Sequence, residues 1–143
     1  MEQSVDPNCI FCKIVAGEIP SAKVLETDEA LAFLDIAPLA PGHVLLIPKR
    51  HVARLDDMNA SQAGSVLRHL PALARAVREV TRCEGYNVLQ NNGRIAHQAV
   101  GHAHFHIIPR KAGDAFHFNW PASKYDTGEL EAMLEKIRVA LET

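Results

Sequence analysis

Aromatic residues are scarce in this sequence, which contains one tryptophan and 6% aromatic residues among its 143 positions. No apolar run approaches the roughly 18 residues that a membrane-spanning helix needs, and the first residues do not resemble a signal peptide. The net charge of −2 offers no basic surface to a nucleic acid or an anionic membrane. We therefore predict a protein with neither a nucleic acid nor a membrane as partner.

Cysteine is also rare, with only three in the chain. This number is too small for a disulfide framework and suits a reducing compartment, so we predict a cytoplasmic protein, with the nucleus as a second compartment. The length fits one domain spanning residues 1–143 with a core of its own. Residues 1–8 are polar and predict a flexible arm.

Histidine, in contrast, is abundant, and three of the eight histidines alternate with apolar residues between Gly101 and Arg110. In an extended chain successive side chains point to opposite faces, so His102, His104 and His106 would share one face. The apolar residues between them would point into a core. The pattern predicts a half-buried strand that ends near Pro109 and carries three imidazoles on its polar face.

Three interpretations of such a face remain open. The histidines are a chance feature of a solvated strand, or two of them converge on one Zn²⁺ ion. Alternatively, the middle imidazole attacks phosphorus while its neighbours orient it and bind phosphate oxygens. Imidazole titrates near neutral pH, so each chemical role is available to it in a cell.

Cys9 and Cys12 form a Cys-x-x-Cys motif, which has three interpretations on its own. A thioredoxin-like redox pair requires a preceding strand, and the sequence predicts none there. Half of a zinc site requires two further ligands from elsewhere in the chain. The third interpretation is two buried thiols.

Periodicity predicts the remaining elements. Apolar residues at three- and four-residue intervals indicate a main helix over residues 60–82, which Pro71 should kink or divide. A C-terminal helix containing Leu130, Leu134, Ile137 and Leu141 should be capped near Asp126 or Thr127. Short strands are predicted at residues 23–26, 31–34, 43–47 and 86–90.

Several blocks of sequence together resemble one family. The triad run is accompanied by Cys9–Ile14, Glu18–Pro20, Ala32–Ile36 and Pro41–His51, and by Asn91–Gly93 with Gln98. In this order and spacing they resemble the histidine triad (HIT) superfamily and, within it, the Hint-like branch. The resemblance covers about residues 8 to 122.

The resemblance implies an α+β fold: an antiparallel sheet of about five strands with a long central helix and a C-terminal helix. It implies a purine nucleotide phosphoramidase that cleaves adenosine 5′-phosphoramidate-like or aminoacyl-adenylate substrates through a nucleotidyl-histidine. The alternatives are a dinucleoside polyphosphate hydrolase, a zinc-dependent hydrolase and a non-catalytic nucleotide-binding module. A homodimer and an AMP-type ligand are also implied.

The same resemblance assigns roles to individual residues. The catalytic set has His104 as nucleophile, with His102, His106 and His43. Judged in isolation, Asp35 is a turn residue, Ile19, Phe33 and Ile36 are core residues, and Asn91 marks a turn. The implied nucleotide-binding set is Ile19, Phe33, Asp35, Ile36, Asn91, Gln98, Ala99, His104 and His106. No cofactor is required for the chemistry, and a structural zinc is implied at Cys9, Cys12, His51 and His102.

The sequence departs from the Hint pattern in one loop. A serine usually occupies the position of Ala99, and its hydroxyl is associated with the phosphate or the leaving group, so one hydrogen bond is left unassigned. His97, where glycine is common, is either a replacement donor or an ordinary loop histidine. Near the C-terminus, Trp120 and Pro121 match a region that approaches the partner's site in a dimer, which predicts an interface role.

Overall fold

The computed structural model describes residues 5–143 and has mixed α and β structure. Within that part of the chain, five strands form one antiparallel sheet in the order β1-β2-β3-β5-β4. The predicted α+β class is confirmed. The strands are β1 (Lys23–Glu26), β2 (Ala30–Leu34), β3 (Val44–Pro48), β4 (Gly85–Gln90) and β5 (Phe105–Arg110), and the helices are α1 (Ile10–Val15), α2 (Ala60–Leu67), α3 (Leu70–Thr81) and α4 (Glu129–Glu142).

Both faces of the sheet are covered at the strands β2 and β3, which are almost entirely apolar. On one face α2 and α3 pack against alternate strand residues, including Phe105 and Ile107 of β5. On the other face α1 packs against Phe33 of β2 and Leu45 of β3, and we call this the α1-side core. The three triad histidines described below lie on the α1 side.

Pro71 divides the predicted main helix into two pieces, as expected. It lies in the first turn of α3, where a backbone N–H would have no intrahelical partner and proline is tolerated. The predicted cap of the C-terminal helix, in contrast, is wrong. Gly128, with a φ of 84°, occupies the N-cap of α4 and provides no side chain, while the Glu129 carboxylate accepts a hydrogen bond from the Asp126 backbone N–H at 2.6 Å.

The prediction that all three triad histidines lie within one strand is also wrong. β5 begins at Phe105, because its pairing with both β3 and β4 ends there. His102 and His104 lie in the irregular segment before it, where Ala103 N–H bonds to the Val52 carbonyl at 2.7 Å instead of to a strand. Alternation nevertheless persists, since Ala103, Phe105 and Ile107 are all buried, and Phe105 and Ile107 pack in the core on the α2 and α3 side.

The C-terminal part of the chain lies apart from this core. After β5, residues 111–128 form no helix or strand, and every residue of α4 is exposed. Its apolar residues Leu130, Met133, Leu134, Ile137 and Leu141 are 44–81% exposed. No helix in the described part of the chain is both long enough and apolar enough to cross a membrane.

Candidate active site and metal centre

His106 lies at the centre of a row of side chains that crosses the sheet. It pairs with Leu45 of β3 and Leu89 of β4, and Leu45 in turn pairs with Phe33 of β2. Directly paired residues of antiparallel strands point to the same face. The His106 ring is therefore on the α1 side of the sheet, 4.9 Å from the His104 ring between centroids.

The polar face on which the three histidines were predicted is buried at two of its three positions. His102 and His104 are 0% and 5% exposed. Phe11 of α1 covers them, with its ring in edge-to-face contact with both imidazoles at centroid distances of 5.8 and 5.1 Å. Their enclosure follows from α1, a helix of six residues that sequence periodicity did not predict.

His104 is held with one ring nitrogen free. Its Nδ1 lies 2.7 Å from the backbone carbonyl of His102, and a carbonyl can only accept, so Nδ1 carries the proton. The lone pair of the ring is then on Nε2. Burial lowers the pKa of His104 below its usual 6.5, with the His102 carbonyl acting in the opposite direction. A buried, neutral imidazole with an unprotonated Nε2 is suited to nucleophilic attack.

A second chain of hydrogen bonds fixes the protonation of His106. The backbone N–H of Leu39 donates to Nδ1 of His43 at 3.1 Å, so the proton of neutral His43 is on Nε2. This Nε2 lies 2.9 Å from Nδ1 of His106, which must accept. The remaining proton of His106 is then on Nε2, where it can be donated to a ligand. Burial, with neighbouring His104 and His43, lowers the pKa of His106 to about 4.

Asp35, directly after β2, lies close to the His43 ring. Its carboxylate lies 3.7 Å from His43 Nε2, and its side chain is 21% exposed. Burial lowers the pKa of His43, and the charge of Asp35 opposes that shift. Asp35, His43 and His106 also have potential ligand atoms within 4.8 Å of one another, but the hydrogen bond between the two histidines already uses the Nδ1 of His106.

His43 reaches this position because of the glycine before it. Gly42 has a φ of 95°, a conformation that residues with a Cβ rarely adopt. A Cβ at this position would lie 2.6 Å from the Thr81 Cγ2 atom at the end of α3. The loop before β3 thus passes directly against α3, and His43 enters the sheet beside Asp35.

A second cluster lies behind the triad. The potential ligand atoms of Cys9, Cys12, His51 and His102 are within 4.8 Å of one another. Nδ1 of His102 is 3.4 Å from Cys9 Sγ and 3.6 Å from Cys12 Sγ, and Nδ1 of His51 is 3.3 Å from Cys12 Sγ. The two Nδ1 atoms are 3.2 Å apart.

These separations fit a tetrahedral zinc ion. With Zn–S bonds of about 2.3 Å and Zn–N bonds of about 2.0–2.1 Å, ligand atoms in a tetrahedron are about 3.3–3.8 Å apart. His102 is also in the correct tautomer, since its Nε2 lies 2.8 Å from the Pro48 carbonyl and must donate, leaving Nδ1 free. Burial lowers the pKa of His102 to about 4 and raises that of the Cys12 thiol.

With this geometry in place, comparison with known proteins identifies the family. The family model described as HIT domain matches residues 16–113. The chain is 45% identical over 139 residues to adenosine 5′-monophosphoramidase HNT1 of Candida albicans, covering 94% of this chain and 91% of that protein. The chain belongs to the HIT family.

Two solved structures also resemble this HIT protein. The histidine triad nucleotide-binding protein of Candida albicans superimposes with a TM-score of 0.85 at 43% identity, covering 94% of this chain and 98% of that one. A zinc-bound histidine triad family protein of Mycobacterium smegmatis superimposes with a TM-score of 0.71 at 35% identity, covering 93% and 97%. The family and the fold implied by the sequence resemblance are confirmed.

The residues predicted to bind the nucleoside are distributed around the histidines of this HIT protein. Phe33 is buried in the α1-side core, and Ile19 packs against that core from the loop after α1. Asp35 directly follows β2, and its charge raises the pKa values of His43, His104 and His106 against the larger effect of burial. Ile36 is 94% exposed. Binding by these four residues stays a prediction.

The loop after β4 brings Asn91 close to the triad. Gln90 pairs with Phe105, the residue after His104, and Asn91 follows directly at the end of β4. Its Nδ2 donates to the His97 carbonyl at 3.4 Å. His97 itself has a φ of 70° and an exposed side chain. Whether it donates a hydrogen bond to substrate stays a prediction.

Gln98 and Ala99 occupy the same loop. The Gln98 amide accepts from Gly93 N–H at 2.7 Å and donates to the carbonyls of Ala53 and Val100 at 2.7 and 3.0 Å. Both donors of the amide are therefore used to brace the loop, and only the second lone pair of its oxygen is left for a nucleotide. Ala99 is exposed.

Sequence reasoning missed two groups that organise the HIT site. Phe11 lies inside the Cys-x-x-Cys motif, where a large apolar residue between two potential ligands was the available signal. The Leu39 backbone N–H, which sets the tautomer of His43, has no side-chain signal at all, because any residue other than proline supplies this donor.

Proposed function

We propose that this HIT protein hydrolyses purine nucleoside 5′-phosphoramidates and aminoacyl adenylates to the nucleoside monophosphate, with the whole chain forming one HIT domain. The observation that carries the proposal is the pair of opposite tautomers on adjacent histidines. His104 offers an unprotonated Nε2, and 4.9 Å away, between ring centroids, His106 offers a protonated one. The activity named for the Candida albicans relative supports the same reaction.

In the first step, Nε2 of His104 attacks the α-phosphorus. A bond forms between this nitrogen and phosphorus while the bond from phosphorus to the leaving group breaks. With a phosphoramidate, the electron pair leaves with the amine, which takes up a proton from solvent. With an aminoacyl adenylate, it leaves with the carboxylate of the amino acid, which needs no proton. The His104 Nδ1–H stays bonded to the His102 carbonyl and stabilises the positive charge that the ring acquires.

His106 stabilises the charge that develops on the phosphate oxygens. Its Nε2–H is oriented before the substrate arrives, through the hydrogen bonds from Leu39 to His43 and from His43 to His106. A preorganised donor in a partly buried site is more effective than one in water, since no reorientation is needed during the reaction. We assign His43 a positioning role because it acts through His106.

In the second step, water attacks the phosphorus of the nucleotidyl-histidine. The bond between phosphorus and His104 breaks, the ring regains its neutral form, and the nucleoside monophosphate is released with loss of a proton to solvent. Dividing one difficult displacement into two easier ones is the advantage of a covalent intermediate. We propose that Asp35, Phe33, Ile19 and Ile36 bind the nucleoside and that Asn91, Gln98 and Ala99 border its phosphate side.

The decisive experiment is intact mass spectrometry of protein quenched during turnover of a lysyl-adenylate substrate. We expect a nucleotidyl adduct on the wild type and on a His69→Ala control, but none on His104→Ala. Bound AMP without adduct or product would indicate a binding module. Faster turnover of a dinucleoside polyphosphate than of any phosphoramidate would reassign the substrate.

We further propose that zinc binds at Cys9, Cys12, His51 and His102. The ligand spacings and the tautomer of His102 support it, as does the zinc-bound relative. When bound, the ion supplies a structural cross-link between the segment of α1 and the segment before β5, and the reaction above proceeds without it. The three free thiols support a cytoplasmic location, with the nucleus as the alternative.

A homodimer is the proposed assembly, formed through the edge strand β4. This strand adjoins β5, which carries His106, and we propose that Trp120, which is 84% exposed, contributes to the interface. Val88 of β4 is 48% exposed and Val24 of the opposite edge strand β1 is 47% exposed. The two valines are therefore matched positions for a test substitution and its control. Val88→Lys should shift sedimentation towards a monomer and Val24→Lys should not. The reverse result would move the interface to β1.

A further inference from the structure

Asp6, in the segment before α1, is in contact with the metal-ligand cluster. Its backbone N–H donates to Cys12 Sγ at 3.4 Å, and its carbonyl accepts from the Cys9 N–H at 3.1 Å. Its carboxylate oxygen Oδ1 accepts from the Asn8 N–H at 2.9 Å, which closes a local turn. One residue thus sets the path of the chain into both cysteines.

The second carboxylate oxygen of Asp6 faces the third candidate ligand. Oδ2 lies 4.0 Å from Nε2 of His51. The other nitrogen of that ring, Nδ1, is the one directed at Cys12 Sγ and His102. If Nδ1 binds a cation, the proton of a neutral imidazole must be on Nε2, which is the atom nearest the carboxylate.

We propose that Asp6 is a positioning residue for the metal centre, in which its carboxylate orients the His51 ring and its backbone N–H stabilises the Cys12 thiolate. The inference rests on the zinc site proposed above. A carboxylate on the outer nitrogen of a ligand histidine fixes the ring and makes it a stronger ligand. A hydrogen bond to a thiolate likewise favours its charged form.

The consequence is that zinc binding and the order of the N-terminal segment are coupled. Asp6 contacts two ligands from the same segment and one, His51, from the loop after β3. Binding of the ion therefore immobilises residues 6–12 against this loop. Loss of Asp6 should weaken metal binding without touching the histidines that react.

The test is a competition titration of zinc against a chromophoric chelator. Asp6→Asn keeps an oxygen for the turn and the backbone N–H but removes the charge beside His51, and Asp6→Ala removes the turn as well. We expect about a tenfold loss of zinc affinity in Asp6→Asn and at least the same in Asp6→Ala. Glu18→Gln, an exposed carboxylate after α1, serves as the control and should bind zinc like the wild type.

Hydrogen exchange gives a second measurement that needs no enzyme assay. Zinc should slow exchange of the α1 amides in the wild type and slow it less in Asp6→Asn. If Asp6→Asn binds zinc with wild-type affinity, the proposed role of the carboxylate is overturned. If only Asp6→Ala then loses affinity, the turn alone supports zinc binding. If the wild type binds no zinc, the proposed metal site itself is overturned. The proposed reaction is tested separately, by nucleotidyl-histidine formation, and does not depend on that result.

Discussion

Acidification should destabilise this protein through its buried histidines, and His106 provides the sharpest test. In the folded chain its pKa is about 4, because burial and the neighbouring imidazoles of His104 and His43 disfavour the charged form. In the unfolded chain it titrates near 6.5. As the pH falls below 6.5, the unfolded chain therefore binds this proton first. Stability is lost between pH 6.5 and about 4 and levels off below that.

The size of the effect follows from the two pKa values. At pH 7 the penalty is small, because both states are largely neutral. At pH 5 most unfolded chains carry the proton and few folded ones do, which corresponds to about 2 kcal/mol from this one side chain. Burial lowers the pKa values of His43 and His104 as well, so the total loss in the wild type will be larger.

A difference measurement isolates His106. The free energy of unfolding is measured by urea titration at pH 7 and pH 5 for the wild type, for His106→Gln and for His117→Gln, which removes an exposed histidine. We expect the wild type and His117→Gln to lose about 2 kcal/mol more than His106→Gln over this interval. Equal losses in all three proteins would refute the reasoning that burial keeps His106 neutral.

Three further predictions concern the reaction, the metal and the loop before β3. The value of kcat/KM at pH 5.5 should exceed about one tenth of its value at pH 7.5, because burial lowers the pKa of His104 below 6.5; a steeper fall in the pH profile would contradict this. Chelation of zinc should lower the melting temperature before it lowers turnover at 25 °C, whereas immediate loss of turnover in folded protein would favour a catalytic metal. Gly42→Ala should cost about 1–3 kcal/mol in urea unfolding, since its φ is positive and Thr81 is in the way; Gly64→Ala, whose Cβ would meet nothing within 4 Å, is the control and should not destabilise.

The alternation around the triad predicted the buried apolar face correctly but not the limits of the strand. A two-residue alternation in the sequence predicts only the direction of the side chains. The irregular segment that contains His102 and His104 keeps this alternation although it does not pair with another strand. The start of β5 at Phe105 depends on where its pairing with β3 and β4 stops. That is a tertiary property, which one segment of sequence does not contain.

Short elements and backbone groups account for the other differences. α1 has six residues, too few to repeat a helical period, so Phe11 could not be placed over the histidines from the sequence. The cap of α4 falls on Gly128 rather than on the two polar residues before it, and sequence signals for helix ends are uncertain by a residue or two. The longer periodic segments, α2 and α3, were predictable, with Pro71 in the first turn of α3.

His102 belongs to both clusters, but through different atoms. Its ring faces the cysteines, whereas its backbone carbonyl accepts a hydrogen bond from the Nδ1–H of His104. A substitution replaces the ring and leaves the carbonyl in the chain. His102→Ala is therefore a probe of the proposed metal centre, and activity that survives it says nothing against the proposed catalytic role of the hydrogen bond. Only a change to the backbone itself, such as an ester in place of the amide that follows residue 102, would weaken that acceptor. The same change would also remove the Ala103 N–H that donates to the Val52 carbonyl at 2.7 Å.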